Sequence, residues 1–432
     1  MSNFGIQPIG RFATSSAAIR RPKEITCFSF DDEHKLLLDD SSLRYYYPPK
    51  LGADLCKGFD TFKKLDDTAD DHLDGLLAAI MALEKKTHVA YDADIITWRG
   101  MMTKIMATPC ENLNGFEMNA TFFQGTIFIE ENHEYKLTQQ RNQRNQPPPR
   151  QDGPSQDMMS FWGYKFETLS LIPHPWGATS REYIEGREDE VVNNHAQYCS
   201  IVRTGVGKAK MILGGEVDAV WDCKPSNPSD TINWVELKTA EDPADRFRTN
   251  ERTLIKFERK LLKFWIQSFL LGVPRIIVGF RSRLGILQRL EEFETQSIPS
   301  TVKRNGRGTW DGNVCINFTA EFLEWLKCTI PGPRSTANNN KDGRTGIDGG
   351  VWRIRRRDGA SVIEVDKLEE TGYGDILPPE FVSWRIELAK GAMDGGRGDT
   401  AADVGAGAGA GTGVEEGGGE GGGGGAGDSS GG

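Results

Sequence analysis

At 432 residues the chain can hold one large domain or two medium ones. Its formal net charge of −10 falls to −4 for residues 1–390, because the glycine-rich stretch 391–432 carries seven acids and one Arg; a total this mildly acidic leaves nucleic acid open as a ligand, since binding needs only a local basic groove. Seven cysteines with no C-x-x-C pair and no histidine at zinc spacing argue against a structural zinc site; no apolar run reaches the roughly 18 residues of a membrane span, and no signal-peptide pattern opens the sequence, so a soluble protein of a reducing, intracellular compartment is expected.

Residues 1–20 are polar and read as a mobile N-terminus. The alternation around Ile25, Phe28 and Phe30 predicts a strand, and Tyr45, Tyr46 and Tyr47 before two prolines predict an extended, packed segment. Leu73, Leu76, Leu77, Ile80, Met81 and Leu83 recur at helical spacing and predict a helix over 67–86; a second helix is expected over 89–106. Strands follow near 115–130. The polar, proline-broken stretch 138–157 reads as a mobile insertion loop, and 158–170 as a helix carrying Gly163 and Glu167. Residues 196–203 read as a strand. After residue 240 come a long helix over 246–271, a short buried strand over 273–281, further strand and helix signals at 283–298 and 313–330, a second polar gap at 331–350, and a closing segment from Trp352 to Trp384. The expected organisation is therefore one catalytic domain over 21–390 with insertions near 138–157 and 331–350, ahead of a disordered glycine-rich tail at 391–432. Strands and helices mix without a regular βαβ repeat, which argues for a mixed α/β domain rather than a Rossmann fold or a TIM barrel.

The stretch 209–240 carries the chemistry. Two apolar, β-rich runs flank a Pro/Asn/Ser/Asp cluster, so two strands joined by a loop centred near Asn227 are expected. Antiparallel pairing around that loop sets Glu216 opposite Lys238 and Asp218 opposite Glu236. Three carboxylates and one ammonium then share a sheet face. The simpler reading is an exposed hairpin with its charges in water. Both runs are apolar except at these positions, however, and Gly214-Gly215 precede the first carboxylate, as where a ligand or backbone approaches closely. Together these favour a divalent cation held by carboxylate oxygens. Glu216, Asp218 and Glu236 are the candidate ligands. Lys238 fits an orienter of the attacking water and a stabiliser of developing negative charge, as phosphoryl transfer requires. An acid followed two residues later by lysine on such a hairpin is the heart of the PD-(D/E)XK nuclease pattern.

Other candidates surround this centre. Glu167 is either a fourth carboxylate or an ordinary helix-surface acid. Lys263 and Gln267, four apart on the helix 246–271, share a face; that helix also carries Arg246, Arg248, Arg252, Lys256, Arg259 and Lys260, a basic set that is a solvated face or a lane for RNA phosphates. Trp98-Arg99-Gly100 offers a guanidinium either to a phosphate or to a structural salt bridge. Cys199 reads as a buried small hydrophobe. No H-E-x-x-H or G-x-x-x-x-G-K-[ST] motif is present.

In order along the chain stand RPKEITCFS (21–29), ITWRGMMTKIMATP (96–109), GYKFE (163–167), YCSIVR (198–203), GEVD (215–218), VELK (235–238) and KLLKFWIQSFLLGVP (260–274). Over roughly residues 20–385 the chain resembles the decapping and exoribonuclease (DXO) family, in particular its fungal nuclear members that partner the nuclear 5′–3′ exoribonuclease. The resemblance implies two mixed β-sheets flanked by helices around a PD-(D/E)XK-like core, with the site between the sheets. It implies metal binding by Glu167, Asp218, Glu236 and the Leu237 carbonyl, with Glu216 contacting metal or substrate, and a pair of Mg²⁺ or Mn²⁺ ions as cofactor. Lys238 and Gln267 would meet the scissile phosphate or its water, and Arg21, Trp98, Arg99, Gly100 and Cys199 would line the substrate pocket. A family glutamate falls at Asp71, whose shorter side chain weakens that contact. The implied activity is metal-dependent hydrolysis at RNA 5′ ends: pyrophosphate release from triphosphate ends, and removal of incomplete m7G caps and NAD caps. A nuclear location and a role in stabilising the exoribonuclease are implied as well; a mainly non-catalytic stabilising partner is the alternative, and a DNA nuclease of the wider PD-(D/E)XK group a third reading.

Overall fold

In the computed structural model, residues 1–66, 68–111, 113–144, 153–227, 230–243, 251–330 and 349–395 are described. The expectations for the tail from 396 onward, for the centre of the 138–157 insertion and for most of 331–350 lie outside these residues, as do Arg246 and Arg248. Residues 1–386 form one compact unit; of the second, 387–432, residues 387–395 are described.

The N-terminus differs from expectation. β1 (Ser2–Gly5) pairs antiparallel with the late strand β16 (Val362–Lys367), and Phe4, Ile6 and Phe12 are buried. Ile9 and Ala17 pack partly buried against the same core, and Asn317 bonds the backbone of Phe12, Ser15 and Ala17, so the stretch is docked. β2 (Ile19–Phe30), β3 (Leu36–Leu37) and β4 (Tyr45–Tyr46) follow. Helix α1 (Asp74–Thr87) buries Leu76, Leu77 and Ile80 and ends where His88 turns left-handed, with its N–H on the Glu84 carbonyl. It starts seven residues later than expected, because 68–73 hold turns and a bend instead of a helical stretch.

The helix expected over 89–106 is a strand, β5 (Ile95–Trp98), running straight into α2 (Arg99–Ala107). Ile95 and Ile96 are buried on opposite faces of a sheet, a pattern that a helical period reads equally well. β6 (Phe116–Phe123) and β7 (Thr126–Glu131) are the expected strands, and they pair antiparallel. Residues 138–144, expected as loop, continue the helix α3 (His133–Arg144); α4 (Gln156–Ser170) is capped by Ser155, whose side chain accepts from the Met158 N–H. β8 (Leu171–Ile172), α5 (Arg181–Gly186), β9 (Gln197–Val206), β10 (Ala209–Glu216), β11 (Ala219–Val220) and β12 (Trp234–Glu241) lead to α6 (Glu251–Leu271). The chain then adds β13 (Arg275–Arg281), β14 (Leu287–Glu294), α7 (Ile298–Arg304), α8 (Gly312–Thr329), β15 (Val351–Arg356), β16 and α9 (Pro379–Gly395).

Two mixed sheets result, as expected. The larger runs β1-β16-β15-β6-β7-β5-β10-β9-β2-β3, the smaller β14-β13-β12-β11-β4-β8. β5 pairs in parallel with both β7 and β10, and β12 in parallel with β13. α6 buries Leu261, Leu262, Trp265 and Ile266 in the core that joins both sheets. α4 packs Phe161, Trp162 and Phe166 on the smaller sheet; a Cβ at Gly279 of β13 would lie 2.5 Å from the Phe166 ring, so that position is closed to any side chain. Among the described residues no helix is long and apolar enough to cross a membrane.

Candidate active site

The two runs of 209–240 are not a hairpin, which corrects the sequence reading. β10 belongs to the larger sheet, between β5 and β9; β12 belongs to the smaller one, between β11 and β13. The chain changes sheets within three residues. Glu216 is the last residue of β10, opposite Cys199; the Val217 N–H donates to the Tyr198 carbonyl at 3.1 Å; Ala219 then pairs with Val235 in β12. The register read from the sequence survives on the far side of this switch. Ala219↔Val235 and Val220↔Trp234 are the pairs expected of a loop centred near Asn227. Asp218 therefore lies beside Glu236, and its Oδ2 accepts the Leu237 N–H at 2.6 Å.

Glycine makes the switch possible. A Cβ at Gly214 would sit 2.9 Å from the Trp98 ring, and one at Gly215 2.9 Å from Leu271 and 3.0 Å from the Arg99 Cβ. The close approach expected of this pair is thus that of the start of α2 and the end of α6. Arg99 opens α2 next to β10 and reaches the Glu216 carbonyl at 3.2 Å and Glu236 Oε2 at 3.3 Å. Gln267 lies one turn before Leu271 on α6 and is half-buried. Lys263, a further turn back, is drawn to Glu111 at 3.4 Å. Arg252, Lys256 and Arg259 are exposed, so this face of α6 is solvated.

Burial alone would raise the Glu236 carboxyl, but Lys238 at 2.5 Å and Arg99 outweigh it and hold it below the usual range. Lys238 loses hydration too, and its attraction to Glu236 and Asp218 keeps it firmly an ammonium. Among the described residues the remaining acids form no ion pair of their own and feel these two cations only at longer range. Asp218 is pushed up to about 7, by burial first and then by Glu236. Glu167, carried here on α4, rises well above the usual range through burial and then through Asp218 and Glu216. Glu216 is open to the cleft, yet loss of hydration raises it as well, against the pull of Arg99.

The predicted residues divide accordingly. Glu167, Glu216, Asp218, Glu236, Lys238 and Arg99 are brought together, with the Leu237 backbone between Asp218 and Lys238. Cys199 sits behind Glu216 at 4% exposure; burial and then Glu216 push its thiol up, so it is the small buried residue expected. Trp98 donates from Nε1 to the His72 carbonyl at 2.9 Å; Asp71, the residue before His72, is exposed in the turn before α1. Gly100 has open space where a Cβ would be. Arg21 donates to Thr231 at 2.7 Å, at an irregularity in β2, and touches none of the acids.

The sequence reading missed two features. Glu24, on β2, accepts from Tyr198 and Ser200 and pairs with Lys224 at 2.8 Å, which fixes Tyr198 beside the sheet switch. A pocket of about 210 Å³ opens next to the carboxylates; Tyr198, Tyr164 and Arg44 line it with Glu167, Glu216 and Asp218. Residues 24 and 44 lie far from 216 in sequence, and no local spacing connects them.

Among the described residues no three His, Cys, Asp or Glu side chains already stand as a metal shell. The donor set nevertheless fits a divalent cation: it offers hard oxygens, and burial first, with like-charged neighbours second, favours protons on Glu167, Glu216 and Asp218 in a cation's place.

Comparison with known proteins adds to this geometry. The family model described as RAI1 like PD-(D/E)XK nuclease matches residues 20–382. The Decapping nuclease RAI1 of Aspergillus fumigatus is 61% identical over 382 residues, covering 88% of this chain and 98% of the relative; that of Gibberella zeae is 55% identical over 391 residues, covering 90% and 98%. Among solved structures, Candida albicans Rai1 in complex with pU5-Mn²⁺ superposes with a TM-score of 0.77 at 30% identity, over 90% of this chain and 100% of that one. Scheffersomyces stipitis Rai1 in complex with (3′-NADP)⁺ and calcium ion gives 0.76 at 29%, with the same coverage.

Proposed function

The chain belongs to the RAI1 like PD-(D/E)XK nuclease family and is a decapping nuclease of that kind, and from this premise we propose that it is a divalent-metal-dependent hydrolase of RNA 5′ ends, releasing pyrophosphate from 5′-triphosphate RNA and removing incomplete m7G caps and NAD caps. The observation that carries this reading is the sheet switch, where four carboxylates meet with two cations between them. Mg²⁺ or Mn²⁺, as two ions held by Glu167, Glu216, Asp218, Glu236 and the Leu237 carbonyl, would neutralise the phosphate and lower the pKa of a bound water.

The chain's own residues do the rest. Lys238, fixed on Glu236 at 2.5 Å, is an ammonium and therefore a donor to the phosphate oxygens, stabilising the charge that grows on them. Arg99, anchored at the Glu216 carbonyl, offers its remaining N–H groups to the same end group. Gln267 orients the attacking water from α6. Trp98, Gly100, Asp71, Arg21 and Cys199 shape the walls. A relative that holds pU5 with Mn²⁺ and another that holds (3′-NADP)⁺ support an RNA end and a dinucleotide-like end as ligands. Nuclear location and stabilisation of a nuclear 5′–3′ exoribonuclease complete the reading; the 5′-monophosphate left by this reaction is what such a partner consumes.

The test is 5′-end-labelled triphosphate RNA and NAD-capped RNA with Mn²⁺, wild type against Glu216→Ala plus Asp218→Ala. Release by the wild type alone is expected, and equal release by both proteins sinks the proposal. If the double variant still protects the purified exoribonuclease against heat, the stabilising role stands apart from the chemistry.

A further inference from the structure

The pocket beside the carboxylates contains a charge that this mechanism does not use. Among the described residues its charged lining is Asp32, Glu167, Glu190, Glu216 and Asp218, with Arg44 as the one cation. Arg44 directly precedes β4, whose Tyr45 pairs in parallel with Val220 of β11, and its own carbonyl accepts the Val220 N–H at 3.0 Å. Asp218 lies two residues before Val220. The backbone thus pins Arg44 at the level of Asp218 and leaves the guanidinium to the pocket.

That guanidinium is half-buried and poorly occupied. Its hydrogen bond is a long one, 3.4 Å from Nη1 to the carbonyl of its neighbour Leu43. Among the described residues it enters no ion pair, whereas Arg99 and Lys238 share Glu236, and Lys224 is taken by Glu24. A half-buried fork of N–H donors with capacity to spare, on a backbone held at the pocket's edge and in an otherwise acidic wall, is matched to a bidentate oxyanion. Beside a phosphoryl-transfer centre that oxyanion is a phosphate.

We propose that Arg44 binds a second phosphate of the RNA end, adjacent to the one under attack. The proposal rests on the 5′-end reading above. The phosphate has two possible sources, the departing group of a triphosphate end or the next linkage of the RNA body. With the departing group, Arg44 favours release of pyrophosphate; with the RNA body, it fixes the register of the strand.

The experiment is steady-state kinetics with Mn²⁺ for wild type, Arg44→Ala and Arg44→Lys, reading pyrophosphate release from 5′-triphosphate RNA and mononucleotide release from 5′-monophosphate RNA. Equilibrium binding of the same two labelled RNAs runs in parallel. Arg44→Ala is expected to lower kcat/KM by about 10- to 100-fold, chiefly through KM, with Arg44→Lys recovering part of the loss. A loss confined to triphosphate RNA assigns the departing group; a loss that includes monophosphate RNA assigns the RNA body. Values within twofold of wild type on both RNAs overturn the proposal. So does an equal loss in both variants with a lowered Tm, which marks a structural residue. An inactive wild type would fail the 5′-end reading itself; the binding arm then decides Arg44 alone, and unchanged binding by Arg44→Ala overturns it.

Discussion

Single buried acids elsewhere in this molecule and the acids of the sheet switch are treated differently. Glu258 on α6 is 3% exposed and has a full set of donors: Asn305 at 2.8 Å, Thr309 at 2.9 Å and Arg307. Glu84 on α1, 0% exposed, likewise accepts from the Tyr91 N–H at 2.9 Å, Trp384 at 3.1 Å and Arg385 at 2.8 Å. Each is one acid served by three or more donors. At the sheet switch four acids share Lys238 and Arg99, and the shortage falls on Glu167, Glu216 and Asp218. A buried acid with all its bonds made is part of the scaffold; four acids crowded around two shared cations mark a place kept for something else.

The strongest way to break this contrast is to remove the scarce partner's acid. Glu236→Ala should lower the rate of 5′-end hydrolysis by at least about 10³-fold, since it removes a candidate ligand and frees Lys238 from its anchor. Single-turnover assays measure this, and a loss under tenfold would put the chemistry elsewhere. Glu258→Ala is the mirror experiment. It should cost about 3–5 kcal/mol in urea unfolding, because Arg307 is left without its partner, while the rate of the folded fraction stays near wild type.

Gly215→Ala tests the approach that positions Arg99. The new methyl would meet Leu271 at 2.9 Å and Arg99 at 3.0 Å, so a loss of about 1–3 kcal/mol is expected together with a raised KM. Unchanged stability would mean that α6 yields freely at this point. The smallest effect concerns Asp218. Its folded-state carboxyl, at about 7, lies above its unfolded value of 3.8, so the native state binds more protons between these two pH values. This contribution to stability is present at low pH and is lost as pH rises through about 7. In metal-free protein Asp218→Asn should therefore raise Tm at pH 7.5 by about 2 °C and flatten its pH dependence, and Mn²⁺ should stabilise the wild type more than the variant. A lower Tm for the variant at pH 7.5 would contradict the scarcity of partners at this site.

Much of the site was legible because its residues come in short, chemically unusual runs. Glu216, Asp218, Glu236 and Lys238 interrupt apolar strands, and the register Ala219↔Val235 followed from the position of the loop. The long helix ending at Leu271, the helix bearing Glu167 and the strands around 115–130 were marked by their periods. Where period is ambiguous the reading failed. Ile95–Trp98, buried on both faces, passed for helix, and Ser2–Gly5 passed for a mobile leader because its partner strand lies some 360 residues away.

The amino-acid order by itself determined the inventory: which acids stand two apart, which glycines leave room for neighbours, and which ordered motifs resemble a family of RNA 5′-end hydrolases. Tertiary structure alone decided that Ala209–Glu216 and Trp234–Glu241 lie in different sheets, that Arg99 and Lys238 divide Glu236 between them, and that Arg44 reaches the same pocket. The reason is physical. Side-chain spacing along a strand is local and period two, whereas the choice of neighbouring strand depends on burying β10 between β5 and β9, segments separated from each other by about a hundred residues.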